Sequence, residues 1–525
     1  MCVARSARTM RKLTPLALLL FLLPIAVYAQ SQCTNNVLNP TFNASLLGSN
    51  VVGSTGMNTG FANATITFNN GQATINSNTM GLNNITGITL YQGTAGTNGT
   101  PVQTFTTSTA NFTGGQLSRT LTVDPTLMSA IQANPGNYYL VITTTDFPNG
   151  AVRGPLVSAN TQQFGGILSA GANGIAGSSG AYAFSLSPNP GGQTYTLNYD
   201  ISTSGIGNTI TGFSLTPVGG NSIALAQGDT EVNGRFTGTT TIDRLTAQQL
   251  LCNPSGFNLG LSTAAVANGF ALTGAVGASD ELFIPVVGSV PGINNTMWRT
   301  DLTVYNNQNG PATMYMQYFP EGSSSSTAQL AATSSINAGA TRLNSDIAAS
   351  LFNNSLNGIG ALRILTSGSV FANARVYNDQ TSLGKGTFGQ NVPGLTRAQA
   401  VSQGILVGTI NTTSANATAS TNARTNIGLF NPSDSTTSVA LSLRNTGGAV
   451  ISTNIVTLGP WQHMQMPLSG VTGAAFPFVT GDVGASAVSF LAGSPIFAYA
   501  SVVDNVSGDG SFILPSVDQT STPAQ

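Results

Sequence analysis

His463 is the single histidine of the 525-residue chain, and it stands in Trp461-Gln462-His463-Met464-Gln465-Met466. A serine hydrolase needs such a base, a carboxylate to orient it and a nucleophile beside it. No G-x-S-x-G elbow supplies that nucleophile, so His463 reads as a strand residue without a partner constellation. A zinc site needs a cluster of cysteine and histidine ligands, which one histidine with Cys33 and Cys252 cannot form. Carboxylates are sparse. Asp280 and Glu281 are neighbours, but adjacent side chains on an extended chain leave on opposite faces. Glycoside hydrolysis asks for two acids facing each other across roughly 5–10 Å. Asp504-Asn505-Val506-Ser507-Gly508-Asp509-Gly510 has the composition of a calcium loop but lacks its bidentate glutamate. A hairpin turn explains the same residues. Gly165-Gly166 and Gly191-Gly192 are followed by no Gly-Lys-Ser/Thr helix and read as turns, not phosphate cradles. The expectation is no catalytic residue, no metal site and no cofactor.

Two kinds of polar residue remain. Cys33 and Cys252 form an even pair, which in an oxidising compartment reads as a disulfide, the alternative being two unpaired thiols. Arg153, Arg299 and Arg424 recur at fixed places in repeated segments. Each is expected to lay its stem along a sheet and tie down a turn carbonyl, with recognition of a partner as the competing role.

The compartment follows from residues 1–29. Arg5, Arg8, Arg11 and Lys12 precede an apolar run from Leu16 to Val27, and Val27 and Ala29 are small residues before Gln30. That is the pattern of a secretory signal peptide. Its apolar run is too short for a good membrane span, and no later segment is long and apolar enough. Removing it leaves 12 basic against 17 acidic residues, a net charge of −5. Lys385 is then the only lysine. No basic patch exists to hold nucleic acid or an anionic membrane. Charged residues are 6% of the chain, so Asn, Thr, Ser, Gln and Gly must wet the surface. Such a surface repels its neighbours weakly and favours association.

What must position these side chains is a pair of tandem duplications. In the first, NNITGITLYQGTAGTNGTP (83–101) matches NTITGFSLTPVGGN (208–221), and the segment 127–156 matches 245–276. Ala62, Ala64, Ile66 and Phe68 alternate with polar residues, turn at Asn69-Asn70-Gly71, and resume at Ala73 and Ile75. Tyr182, Phe184 and Leu186 do the same before Tyr195, Leu197 and Tyr199. Period-two alternation around Gly and Asn turns predicts hairpins. One short helix is expected in each copy, the first capped by Asp124 with Pro125 at its first position, and Pro135 and Pro254 end them. In the second duplication WRTDLTVYNN (298–307) matches ARTNIGLFNP (423–432), and FANARVYND (371–379) matches FAYASVVDN (497–505). GKGTFGQNVP (384–393) matches GDGSFILPSV (508–517), all at offsets near 125 residues. Short β-branched and aromatic segments between Gly, Asn and Ser clusters predict β-sandwiches, with one helix at Asp346 to Phe352. Residues 395–422 read as a joining stretch and 516–525 as a disordered tail.

The first half resembles two CHRD (chordin-type) domains. Copy one carries Ile85, Thr86, Gly93, Gly96, Asn98, Gly99 and Pro101. It then has Tyr139, Val141, Thr143, Phe147, Pro148, Gly150, Arg153, Gly154 and Leu156 in the order that family shows. Copy two keeps Ile210, Thr211, Gly269 and Gly274 and has lost the arginine. The resemblance implies a Greek-key β-sandwich with an extracellular role. Many bacterial members carry a His-Ile-His triplet and a further histidine. Here Thr89, Leu90, Tyr91 and Thr143 stand there, and Ser214, Leu215 and Thr216 in copy two, so no imidazole is left for copper or zinc. The second half is similar to repeat modules of secreted soil-bacterial proteins, on W-R-T-D-L-x-V-x-N and the closing Y-x-S-V-V-D-N-x-S-G-D.

The expected architecture is all-β: four tandem Greek-key or immunoglobulin-like sandwiches in two duplicated pairs, at 37–156, 157–276, 281–394 and 405–515, with short connecting helices. Joined end to end they would make a long rod. The expected function is a secreted, non-enzymatic scaffold, adhesion or binding protein at the cell exterior, surface or periplasm. Its partners would be a glycan, matrix, a protein ligand or copies of itself. The competing classes are an enzyme of unfamiliar type with an inter-domain carboxylate site, and a chordin-like antagonist of one protein ligand.

Overall fold

A computed structural model describes residues 41–517 apart from short internal segments, the longest of them 413–421. The signal-peptide reading of 1–29 and the position of Cys33 lie outside the described residues, as does 518–525 of the tail. The described chain is mostly β, in four antiparallel sheets with a few short helices, and the first two sheets curl into near-barrels.

Strands β1 to β9 are Thr41–Leu47, Phe61–Asn69, Gln72–Met80, Ile85–Gln92, Thr100–Thr106, Gln116–Thr122, Tyr138–Thr144, Val152–Pro155 and Val157–Ser158. They are ordered β5-β4-β7-β8-β1-β2-β3-β6, with β9 beside β1. Strands β10 to β18 are Gln162–Ala170, Ser179–Pro188, Thr194–Ser204, Ile210–Pro217, Ile223–Leu225, Glu231–Val232, Arg235–Asp243, Phe257–Thr263 and Leu272–Ala275. Their order is β14-β13-β17-β18-β10-β11-β12-β16-β15. Eight strands recur in the same order as in the first sheet, and only β9 and β15 lack a counterpart, so the two copies share one topology. The expected hairpins form: β2 pairs with β3 from Phe61↔Met80 to Asn69↔Gln72, and β11 pairs with β12. Ala62, Ala64, Ile66 and Phe68 face one core, and Tyr182, Phe184 and Leu186 the other. Helix Pro125–Ala133 starts as expected, Asp124 accepting from the Thr126 amide at 2.8 Å. Asp243 caps the matching helix Arg244–Cys252 in the same way.

Strands β19 to β27 are Asp280–Pro291, Met297–Asn306, Ala312–Pro320, Leu330–Ile336, Thr341–Asn344, Gly358–Thr366, Val370–Asp379, Thr387–Pro393 and Leu395–Thr396. One face runs β22-β21-β24-β19 and the other β23-β20-β25-β26, around one core. Strands β28 to β34 are Val401–Asn411, Ala423–Phe430, Thr437–Arg444, Val450–Leu458, His463–Pro467, Val483–Asp504 and Gly510–Ile513. Here β31-β30-β33-β28 faces β32-β29-β33-β34. The 22-residue β33 does in one run what β24 and β25 do as two strands. Gly493-Ser494-Pro495 sits where it passes from one face to the other.

Three expectations change. The helix at Asp346 to Phe352 shrinks to one turn, Ile347–Ser350. Asp346 is left-handed at φ 43, its amide bonding the Asp301 carboxylate at 2.8 Å, and Asn353 and Asn354 are also left-handed. The joining stretch is not slack through its first part, because β28 begins at Val401 and is the first strand of the fourth sheet. Finally, the four sheets are not joined end to end in chain order. The first packs on the fourth through Phe61, Ala440 and Leu491, with Asn63 Nδ2 donating to the Ala492 carbonyl at 2.6 Å. The second packs on the third through Ala181, Ala183, Tyr315 and Leu365, with Gln317 Nε2 donating to Asp200 Oδ2 at 2.9 Å. Both contacts use the outer side of the first hairpin of a copy (β2 or β11) against the outer side of matching strands (β30 and β33, or β21 and β24). The duplication therefore includes the docking surface. Phe61 on an outward strand position would otherwise expose its ring, and burial of such a ring is worth roughly 1.5–3 kcal/mol.

Candidate functional site

Arg153 is the arginine of the first copy's motif, absent from the second copy. It is buried, its guanidinium lies 3.5 Å over the Tyr139 ring, and Nη2 donates to the carbonyls of Thr94 and Thr97 at 3.2 and 2.6 Å. Nη1 reaches Asn98 Oδ1 at 3.5 Å. Tyr139 OH accepts from the Gly99 amide at 2.8 Å. A Cβ on Gly99 would sit 1.8 Å from the Gln92 carbonyl oxygen, and one on Gly154 2.1 Å from that of Ser45. The motif is thus a clasp that holds the 93–101 loop onto β7 and β8. Thr89 and Thr143 spend their hydroxyls locally, on Thr104 and Thr86. Among the described residues no group of three or more His, Cys, Asp or Glu is placed to hold a metal ion.

Glu281 is brought into a different setting from any the sequence pointed to. Its carboxylate accepts from Arg363 Nε at 2.6 Å and from Arg397 Nε and Nη2 at 2.7 and 3.0 Å. Arg363 also donates to Gln317 at 3.1 Å, which continues to Asp200. Arg397 donates to the Pro432 carbonyl of the fourth sheet. Below this relay lies an aromatic cluster of Phe283, Phe319, Phe430, Trp461 and Phe497. Trp461 stacks on Phe319 with ring centroids 5.0 Å apart and has the Arg363 guanidinium 4.7 Å from its ring. It does so at φ 52, a backbone region a bulky residue rarely adopts. Burial opposes ionisation of Glu281, but the two guanidiniums outweigh it and hold its carboxyl below the usual range. A group so held is a poor general acid.

His463 lies on β32 with no exposed surface. Nε2 shares a hydrogen bond with Tyr499 OH at 2.9 Å, and Tyr499 OH donates to Gln465 Oε1 at 2.9 Å. Nδ1 has no partner. Burial pushes the imidazole down to about 3. Asp504 is the anchor of a turn, accepting from the amides of Val506 and Ser507 at 2.9 and 2.6 Å.

The third and fourth sheets also line a half-open cavity of about 580 Å³ between them. Val286, Val287, Trp298, Ile359 and Val376 wall it from one side and Val503 from the other. Arg424, Asn426, Gln465, Ser501 and Gln390 supply its polar lining. Gln390 and Ser501 bond each other across it at 3.0 Å. Arg424 was legible as a recurring arginine; that it lines a cavity was not, because the other wall belongs to the strands of a different sheet.

Residues 42–156 match the family model for the CHRD domain, so the chain carries a CHRD domain in its first sheet. No curated protein matches the chain. Among solved structures it is similar to a mutant of the alpha-2-macroglobulin of Salmonella, at 9% identity over 90% of this chain and 29% of that one, with a TM-score of 0.11. The chain thus spans under a third of that protein's length, and so low a score carries no argument. No helix among the described residues is long and apolar enough to cross a membrane.

Proposed function

We propose that this is an exported, non-enzymatic binding or scaffold protein acting outside the cytoplasm. The observation that carries the reading is the CHRD domain at 42–156, docked by a buried ring, Phe61, onto the fourth sheet. Four sheets linked in this way make one platform rather than independent beads, which suits presentation of a ligand surface. The same order of eight strands in the second sheet supports reading 157–276 as a degenerate second copy of the same domain. Fractionation of the native cells is expected to place the chain, cleaved before Gln30, in the periplasm, on the surface or in the medium. A cytoplasmic chain retaining residues 1–29 contradicts export. Turnover of an ester, glycoside or peptide by the purified protein contradicts the non-enzymatic part.

The same reading includes a bridge between Cys33 and Cys252. Cys252 ends the capped helix of the second sheet, where copy one has Ala133 at the end of its own. The packing links the sheets in the order first, fourth, third, second, so a bridge from the N-terminus to Cys252 would join the two ends of that series. So large a loop is worth roughly 5 kcal/mol in the chain-entropy model. Peptide mapping of secreted protein without reductant is expected to recover the two cysteines in one linked pair. Recovery of both as free thiols rules the bridge out.

A further inference from the structure

Arg299 and Arg424 occupy the same place in the two C-terminal repeats, in W-R-T-D and A-R-T-N. Arg299 is neutralised within its own sandwich. It pairs with Asp346, and its Nε donates to Asp379 at 3.1 Å. Asp301 stands two residues along the same face of β20. In the second repeat two of these three carboxylates have become amides: Asn426 stands for Asp301, and Asn505 for Asp379. Arg424 Nη1 donates to Asn505 Oδ1 at 2.9 Å, and among the described residues no carboxylate pairs with it. Asp504 is near enough to act on it through space, but its Oδ1 is taken by the turn amides and by the Ser507 hydroxyl at 2.8 Å. Arg299 and Arg424 also differ in where they point. Arg424 lines the cavity between the third and fourth sheets and Arg299 does not. Asn426, on the same face of β29, makes no side-chain hydrogen bond among the described residues, and Gln465 uses its Oε1 on Tyr499 and keeps its Nε2 free to donate.

We propose that this cavity binds a small organic anion with an apolar body, its carboxylate held by Arg424 and the neighbouring amides and its chain or ring laid against Val286, Val287, Trp298, Ile359 and Val376. A largely apolar volume of about 580 Å³ lies within the size of small-molecule sites, which pair such walls with a few convergent polar groups. A guanidinium fork to which no carboxylate bonds among the described residues is the group that selects a planar anion. The inference rests on the binding-protein reading and gives that reading a ligand class.

Octanoate serves as the probe, with octan-1-ol and octylammonium as neutral and cationic controls of the same chain length. Calorimetric titration of the purified mature protein is expected to give one saturable site for octanoate, with both controls weaker by about tenfold or more. Arg424→Gln is expected to weaken octanoate by about tenfold or more while leaving octan-1-ol unchanged, and Arg424→Lys to retain part of the preference. The cavity assignment is overturned if octanoate shows no saturable binding, if octan-1-ol binds as well, or if Arg424→Gln binds octanoate like the parent. Should Arg424→Gln fail to fold, the comparison of octanoate with octan-1-ol on the unaltered protein decides alone. A negative titration leaves export and the non-enzymatic reading standing, since fractionation tests those separately.

Discussion

Replacing Glu281 by alanine is expected to destabilise the third and fourth sheets by about 3–5 kcal/mol, the cost of leaving a buried charge without its partner. The effect should be large because two arginines depend on one carboxylate. Arg363 is nearly closed off, with 4% of its side chain exposed, and among the described residues its Nη2 has no hydrogen-bond partner even with Glu281 in place. Without the carboxylate, two guanidiniums would face each other above the aromatic cluster of Phe283, Phe319 and Trp461. The gain from the intact network is a separate quantity from the cost of breaking it. Replacing Glu281, Arg363 and Arg397 together by methionine is expected to recover most of the loss, because buried ion networks rarely outperform well-packed apolar side chains. Urea unfolding followed by tryptophan emission reads both variants, since Trp461 lies in the cluster. A midpoint for Glu281→Ala corresponding to less than about 1 kcal/mol of destabilisation would show that the network is solvated and that the aromatic rings alone join the sandwiches.

Acid is expected to destabilise the fourth sheet through His463. The folded imidazole is pushed down to about 3 from an ordinary value of 6.5. The sign follows from proton uptake. Below pH 6.5 the unfolded chain binds a proton at this residue and the folded chain does not. Stability is therefore complete above pH 6.5 and falls on acidification, by about 1.4 kcal/mol per pH unit, until the pH reaches the folded value. The physical cause is desolvation, and among the described residues Nδ1 has no hydrogen-bond partner. His463→Gln keeps a polar side chain beside Tyr499 and removes the titration. Its stability at pH 7.5 should be lower than that of the parent, and its decline between pH 6.5 and 4.5 shallower by roughly 2–3 kcal/mol. Other carboxylates titrate in both proteins alike, so the difference between the two profiles isolates the histidine. Parallel profiles would mean that the ring is hydrated in solution.

Much of the local structure was legible in the chain. The alternation at Ala62 to Phe68 and at Tyr182 to Leu186 determined both which strands form and which side faces the core, because a strand's side chains repeat every two residues. Asp124 and Pro125 marked a helix start because an N-terminal turn needs a side-chain acceptor and tolerates a missing amide. The duplications fixed that two topologies would each occur twice. The scarcity of charge was equally plain. Arg153 could be named as a turn-holding arginine from its place in the motif, and its bonds to Thr94 and Thr97 bear that out.

What the sequence did not disclose lies on the outward side of the strands. Phe61, Tyr315, Arg363 and Phe430 occupy positions that alternation assigns to solvent, yet each is buried. Alternation describes one sheet and its own core. It carries no information about a second sheet arriving from elsewhere in the chain. Only the tertiary structure decided that the first sheet would meet the fourth, that Glu281 would sit between arginines 82 and 116 residues away, and that Arg424 would face a cavity while Arg299 is neutralised within its own sandwich. These contacts depend on side-chain shape and on closing long stretches of chain, neither of which is written in local spacing.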